Sequence, residues 1–156
     1  MTFSEQIKHK ALELGFDACG ICRATDSEQE ANYMDWLANE CQAGMSYMER
    51  NIEKRLDPRL LVDGAKSIIS VALNYYPHKL QNSDAPKFAY YAYGQDYHDI
   101  VKGKLKLLFD FIKESYPDAT GRYFSDSAPV LERFWAAQAG LGFVGKNTLL
   151  IIPGKG

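Results

Sequence analysis

A chain of 156 residues can bury one core of ordinary size, and 46% hydrophobic with 24% charged residues is the balance of a soluble globular domain. The formal charge of −2 leaves no basic footprint for gripping a phosphate backbone, although an RNA substrate is not excluded by it. Three cysteines, an odd number, argue against a disulfide framework and for a reducing cytoplasm; the first residues form no secretory signal, and no apolar run approaches the roughly 18 residues of a membrane span.

Thr2-Phe3-Ser4-Glu5 has the spacing of a capping box, Phe3, Ile7, Ala11 and Leu14 follow at helical period, and Gly15 supplies the stop. Phe16 to Cys22 reads as a short strand. It contains Cys19-Gly20-Ile21-Cys22, a spacing used by metal and redox sites. Such pairs sit on turns or helix starts, where the sulfurs converge; on a strand, residues three apart face opposite ways. The pair therefore reads as two small buried residues, and Cys41 does not complete a site with them. Ser27-Glu28-Gln29-Glu30 is a second capping box, with Met34, Leu37 and Cys41 on one helix face and Gly44 closing it. Met45, Met48 and Ile52 suggest a further helical segment, and Asp57-Pro58 opens another turn.

Lys66 to Tyr75 is almost continuously apolar and β-branched, the pattern of a central strand buried on both faces. Pro77 to Lys87 is polar and reads as a mobile loop, and Phe88 to Ala92 as a strand. The longest helix is expected from Tyr97 to Ser115, with Val101, Leu105, Leu108 and Ile112 inward and Pro117 beyond its end. A strand over Arg122 to Ser125, a helix from Pro129 to Gly140 and a strand over Thr148 to Ile152 complete the chain. Without strict βαβ alternation, the expectation is one α+β layered domain over 1–156, a mixed central sheet flanked by helices. The stop at Pro153-Gly154-Lys155-Gly156, directly after an apolar strand, reads as a point inside a longer protein.

Four clusters carry polar chemistry. Gly44 to Arg50, followed by Lys54 to Arg59, is equally the pattern of core methionines and a solvated charged face. In Tyr90 to His98 a strand ends, Gly94 turns the chain, and Asp96, Tyr97 and His98 fall together at a helix start, where capping alone also collects polar residues. In Phe124 to Arg133, Asp126 ends a strand before a helix, a place where open sheets bind ligands but also where Asp126 or Ser127 could simply cap. Gly140-Leu141-Gly142-Phe143-Val144-Gly145 lies between helix and strand, so it is no dinucleotide fingerprint; Asn147 after Lys146 rules out a phosphate loop. Its glycines could still admit a ligand close to the backbone.

In this order, Leu14-Gly15-Phe16-Asp17, Gly44-Met45 with Tyr47-Met48, Arg55-Leu56-Asp57-Pro58-Arg59, Tyr91-Ala92 through Asp96-Tyr97-His98, Asp126 to Arg133 and Ala139 to Asn147 resemble the epoxyqueuosine reductase family. The resemblance implies the amino-terminal, cobalamin-binding portion of a cytoplasmic enzyme that reduces epoxyqueuosine in tRNA to queuosine. It implies a nitroreductase-like or reductive-dehalogenase-like cobalamin-binding fold, an external electron donor, no membrane partner and a monomer. Two [4Fe-4S] clusters are implied in a ferredoxin-like domain further on, because the cysteine runs such clusters need are not in these residues. Asp126 matches the family's proton donor, a role in which burial beside the corrin would have to keep it protonated. Arg55, Tyr91, Tyr97, His98, Ala128, Lys146 and Asn147 are the implied cofactor-binding residues. Asp96-Tyr97-His98-Asp99-Ile100-Val101 begins like the DxHxxG motif that ligates cobalt, but Val101 replaces its glycine, so His98 reads as a pocket residue beneath base-off cobalamin. A reductive dehalogenase, usually exported with a twin-arginine signal, and a cobalamin-handling carrier domain are the alternatives.

Overall fold

The computed structural model describes residues 1–155; Gly156, the last residue of the expected domain, lies outside the described residues. In chain order the elements are α1 (Phe3–Glu13), β1 (Ala18–Arg23), α2 (Glu30–Ala38), α3 (Ile52–Leu56), β2 (Ser67–Ala72), α4 (Tyr97–Ser115), α5 (Glu132–Gln138), β3 (Phe143–Val144) and β4 (Leu150–Ile151). They gather into two compact units. The first comprises Met1–Cys19, Val71–Asp126 and Lys155; the second, Gly20–Ser70 and Ser127–Gly154.

The first unit is organised by α1 and α4. The capping box at Thr2 and Glu5 is present at the start of α1. Ile7 and Ala11 of α1 are buried, as are Leu105 and Leu108 of α4, because spacings of four and three residues bring each pair onto one helix face; Phe16, just beyond α1, is buried as well. Phe3 lies edge-on to Tyr116, with ring centroids 4.7 Å apart. Lys104 donates to the Gly15 carbonyl at 3.0 Å, placing a cation at the end of α1, where carbonyls lack helical partners.

The second unit packs Ala24, Tyr33, Trp135, Ala136 and Leu141. β3 and β4 form an antiparallel hairpin with Phe143 opposite Ile151 and Val144 opposite Leu150. Gly20 lies so close to Ala139 that a Cβ there would overlap its carbonyl oxygen, and one on Gly142 would overlap that of Ile151. Gly142 thus lets the chain approach itself closely.

One mixed central sheet is the expectation that fails. The described residues hold two separate two-stranded ladders, β1 with β2 and β3 with β4. The Asp17 N–H meets the Ala72 carbonyl and the Ala24 N–H meets the Lys66 carbonyl, so β1 and β2 run in opposite directions. β2 is half-buried where full burial was expected, since β1 is its one ladder neighbour among the described residues. Phe88 to Ala92 is no strand. The Gln81 side-chain amide donates to the Phe88 carbonyl and accepts from its N–H, at 2.8 and 3.1 Å, and Tyr90–Ala92 coil into a 3₁₀ turn. Local bonds thereby take the groups a ladder would need. Arg122 to Ser125 likewise joins no ladder among the described residues; Arg122 lies over the Phe124 ring instead.

Two helix starts also shift. α2 begins at Glu30, and the Ser27 box does not form, because the Ser27 N–H is drawn to the Leu56 carbonyl at 2.7 Å. α5 begins at Glu132 rather than at Pro129: a tight turn from the Val130 N–H to the Ala128 carbonyl occupies the residues between. α4, in contrast, spans the expected residues, and Asp57 caps the Pro58 turn through the Arg59 N–H.

Candidate active site

Within the first unit, three of the implied site residues meet. Gly94, at φ +79°, turns the chain into α4, a conformation that side chains with a Cβ rarely adopt. Asp96 then caps the helix by accepting the His98 N–H at 2.9 Å. Consecutive positions at the helix start set the Tyr97 and His98 rings face to face, with centroids 4.1 Å apart. From the other side of the sequence, buried Ser125 leads into Asp126, whose φ of +52° is left-handed. The Tyr97 hydroxyl donates to Asp126 Oδ2 at 2.6 Å.

His98 Nδ1 is 2.7 Å from Asp96 Oδ1, and an ionised carboxylate can only accept, so Nδ1 carries the hydrogen. Nε2 faces the same Asp126 oxygen at 3.9 Å, an ion-pair distance for a protonated ring and too long for a hydrogen bond. The His98 backbone N–H, followed by its ring, holds the Asp96 carboxyl below the usual carboxylate range. Asp126 keeps 53% of its side chain exposed. This arrangement fixes one oxygen of its carboxyl through the Tyr97 hydroxyl. α5 has its N-cap at Leu131, five residues further on, so Asp126 does not cap that helix.

Tyr91, also in the first unit, is exposed in the 3₁₀ turn. The remaining implied residues lie in the second unit. Arg55, in the last turn of α3, donates from Nη2 to the Tyr47 carbonyl at 3.1 Å, while its buried Nε finds no partner among the described residues. Ala128 accepts in the tight turn before α5. Lys146 and Asn147 form the tip of the β3–β4 hairpin, where Asn147 Oδ1 accepts the Leu149 N–H and the Thr148 N–H closes onto the Gly145 carbonyl.

Sequence reasoning left two positioning residues out of the site. Asp96 orients His98; its position at the cap of the longest helix was the available signal. Arg133 reaches from α5 to the Thr148 carbonyl and so steadies the hairpin tip, a contact between distant residues that no spacing announces.

Cys19 and Cys22 lie on β1 as expected, but both are half-buried where full burial was expected. Burial pushes both thiols up, at Cys19 against a small opposing pull from Lys8. Among the described residues no three His, Cys, Asp or Glu side chains converge on a metal position. Because the thiolate is the reactive form, iodoacetamide at neutral pH should alkylate exposed Cys41 roughly tenfold faster than either, as read by mass spectrometry. Equal labelling of Cys22 and Cys41 would contradict the protection expected from partial burial on β1. No helix among the described residues is long and apolar enough to cross a membrane.

Known proteins share both this sequence and this fold. A family model described as epoxyqueuosine reductase QueG, DUF1730, matches residues 55–127, from the cofactor candidate Arg55 to just past Asp126. An epoxyqueuosine reductase of Cellulophaga algicola is 51% identical over 154 residues, covering 98% of this chain and 50% of that protein. The structure of the Streptococcus thermophilus epoxyqueuosine reductase superposes with a TM-score of 0.89 at 29% identity, over 100% of this chain and 43% of that one. Another, solved with an epoxyqueuosine-modified tRNA-Tyr stem loop, gives a TM-score of 0.84 at 30% identity, over 97% and 41%. The chain spans about half the length of the curated relatives it matches. It is similar to the epoxyqueuosine reductases over about half of each of them.

Proposed function

We propose that this chain is the cobalamin-binding, substrate-reducing portion of a cytoplasmic, monomeric epoxyqueuosine reductase acting on tRNA. The observation that carries the reading is 51% identity across 98% of the chain with a protein of that name. The tRNA partner is supported by the relative solved with an epoxyqueuosine-modified stem loop. Conversion of the epoxide to the alkene consumes two electrons and two protons and releases the oxygen as water. The electrons would be supplied by an external donor, with two [4Fe-4S] clusters held by other parts of the protein as the redox groups of this reading. A fold related to nitroreductases and reductive dehalogenases belongs to the same reading.

The residues present fit a corrin. Its peripheral amides and phosphate accept hydrogen bonds, and the buried Arg55 Nε is a donor without a partner among the described residues. Cobalamin, when bound, supplies a reduced cobalt centre able to attack an epoxide carbon or pass electrons to it. In the first unit, Tyr91, Tyr97 and His98 have the ring faces and polar edges that suit a macrocycle; in the second, Arg55, Lys146 and Asn147 have donors that suit amides, and Ala128 leaves its backbone approachable. Asp126 gives a proton to the departing epoxide oxygen, which would otherwise leave as a costly alkoxide. Both ring nitrogens of His98 are directed at carboxylates, which favours a pocket role over cobalt ligation.

The test is the full-length protein with reduced cobalamin and tRNA carrying epoxyqueuosine, followed by nucleoside mass spectrometry. Queuosine should accumulate; its absence with an active donor present would end the reading. Cobalamin titrated into the same protein should give the base-off visible spectrum, unchanged in His98→Ala. A histidine-ligated spectrum lost in that variant would overturn the base-off assignment.

A further inference from the structure

Asp126 sits in a stretch, 122–131, that carries no helix or strand among the described residues, and its backbone is in the left-handed region. Tyr97 stands at the first turn of α4, a 19-residue helix anchored by buried Leu105 and Leu108. The 2.6 Å hydrogen bond from Tyr97 to Oδ2 therefore ties an irregular segment to a rigid element, and stacking on His98 fixes the tyrosine ring.

This bond has a chemical consequence: a carboxyl whose Oδ2 is held by the tyrosine hydroxyl cannot turn freely about its side-chain bond, so Tyr97 sets the plane in which that carboxyl meets a reactant. We propose that Tyr97 is a positioning residue: its hydroxyl clamps Oδ2 of Asp126 and thereby fixes the backbone and the carboxyl of Asp126 against the first turn of α4. The inference rests on the reading of Asp126 as the proton donor; the clamp itself does not.

Tyr97→Phe separates the two, because phenylalanine keeps the ring stack and the helix position and removes only the hydroxyl. Amide hydrogen exchange over 125–128 should accelerate about tenfold, while exchange in the body of α4 is unchanged. In the full-length enzyme, kcat should fall on the order of 10²-fold with KM for the tRNA within twofold, the signature of lost alignment rather than lost binding. Combining Tyr97→Phe with Asp126→Asn should cost no more than Asp126→Asn alone, since the clamp has nothing left to align. Unchanged exchange overturns the clamp. Faster exchange with normal kcat overturns the positioning role. Full additivity in the double variant does so too, because Tyr97 would then act independently of Asp126. If the wild-type enzyme fails to reduce epoxyqueuosine, the proposed function falls, while the exchange measurement still decides the clamp.

Discussion

Replacing Asp126 with asparagine in the full-length enzyme is expected to lower turnover by about 10²–10⁴-fold, the usual worth of a positioned general acid. Asparagine tolerates the left-handed backbone at φ +52° and can still accept the Tyr97 hydrogen through its amide oxygen, so fold and loop position should persist. Affinity for cobalamin and for tRNA should change by less than about twofold, since only the transferable proton is lost. A capping role predicts the opposite, because asparagine caps about as well as aspartate. The observed N-cap of α5 at Leu131 already weakens that role. Single-turnover measurements of epoxide reduction, with cofactor loading checked by absorbance, separate the two; near-normal turnover would remove Asp126 from the chemistry.

The largest stability effect should come from Trp135→Ala. Trp135 is 2% exposed, edge-on to Phe134 at 4.9 Å, and accepts through its carbonyl the weak contact from Cys22 Sγ. Removing so much buried surface costs about 3–5 kcal/mol. Trp135→Phe should cost less than about 1.5 kcal/mol, because the indole Nε1 has no hydrogen bond among the described residues for the substitution to break. Urea unfolding followed by far-ultraviolet circular dichroism gives both midpoints. Since α5 also carries Arg133, the alanine variant should loosen the Lys146–Asn147 tip. Equal midpoints for the two variants would mean that the indole is not a core anchor.

α4 was legible because Leu105 and Leu108 repeat at the period of a buried helix face and Asp96 supplies a local cap; every determinant lies within one segment. The same holds for the capping box of α1. Strands were legible only in part. Lys66 to Tyr75 shows its β-branched preference, but which segment it pairs with, and how many, depends on residues far off in sequence. Gln81 pre-empting the backbone of Phe88 and Leu56 pre-empting Ser27 are contacts of that kind. In the candidate site, Asp126, Tyr97 and His98 could be named from motif order. The bond joining residues 29 positions apart could not, nor could the use of Gly142 against Ile151.

The closed pair of hydrogen bonds between Gln81 and Phe88 bears on self-association. Phe88 is 68% exposed beside exposed Tyr90 and Tyr91, an aromatic stretch that as a bare strand edge would invite a second chain to pair with it. Recruitment of that kind begins at an unoccupied N–H and C=O, and at Phe88 one glutamine side chain holds both. The stretch can keep its rings outward without offering a template for edge-to-edge aggregation at that residue.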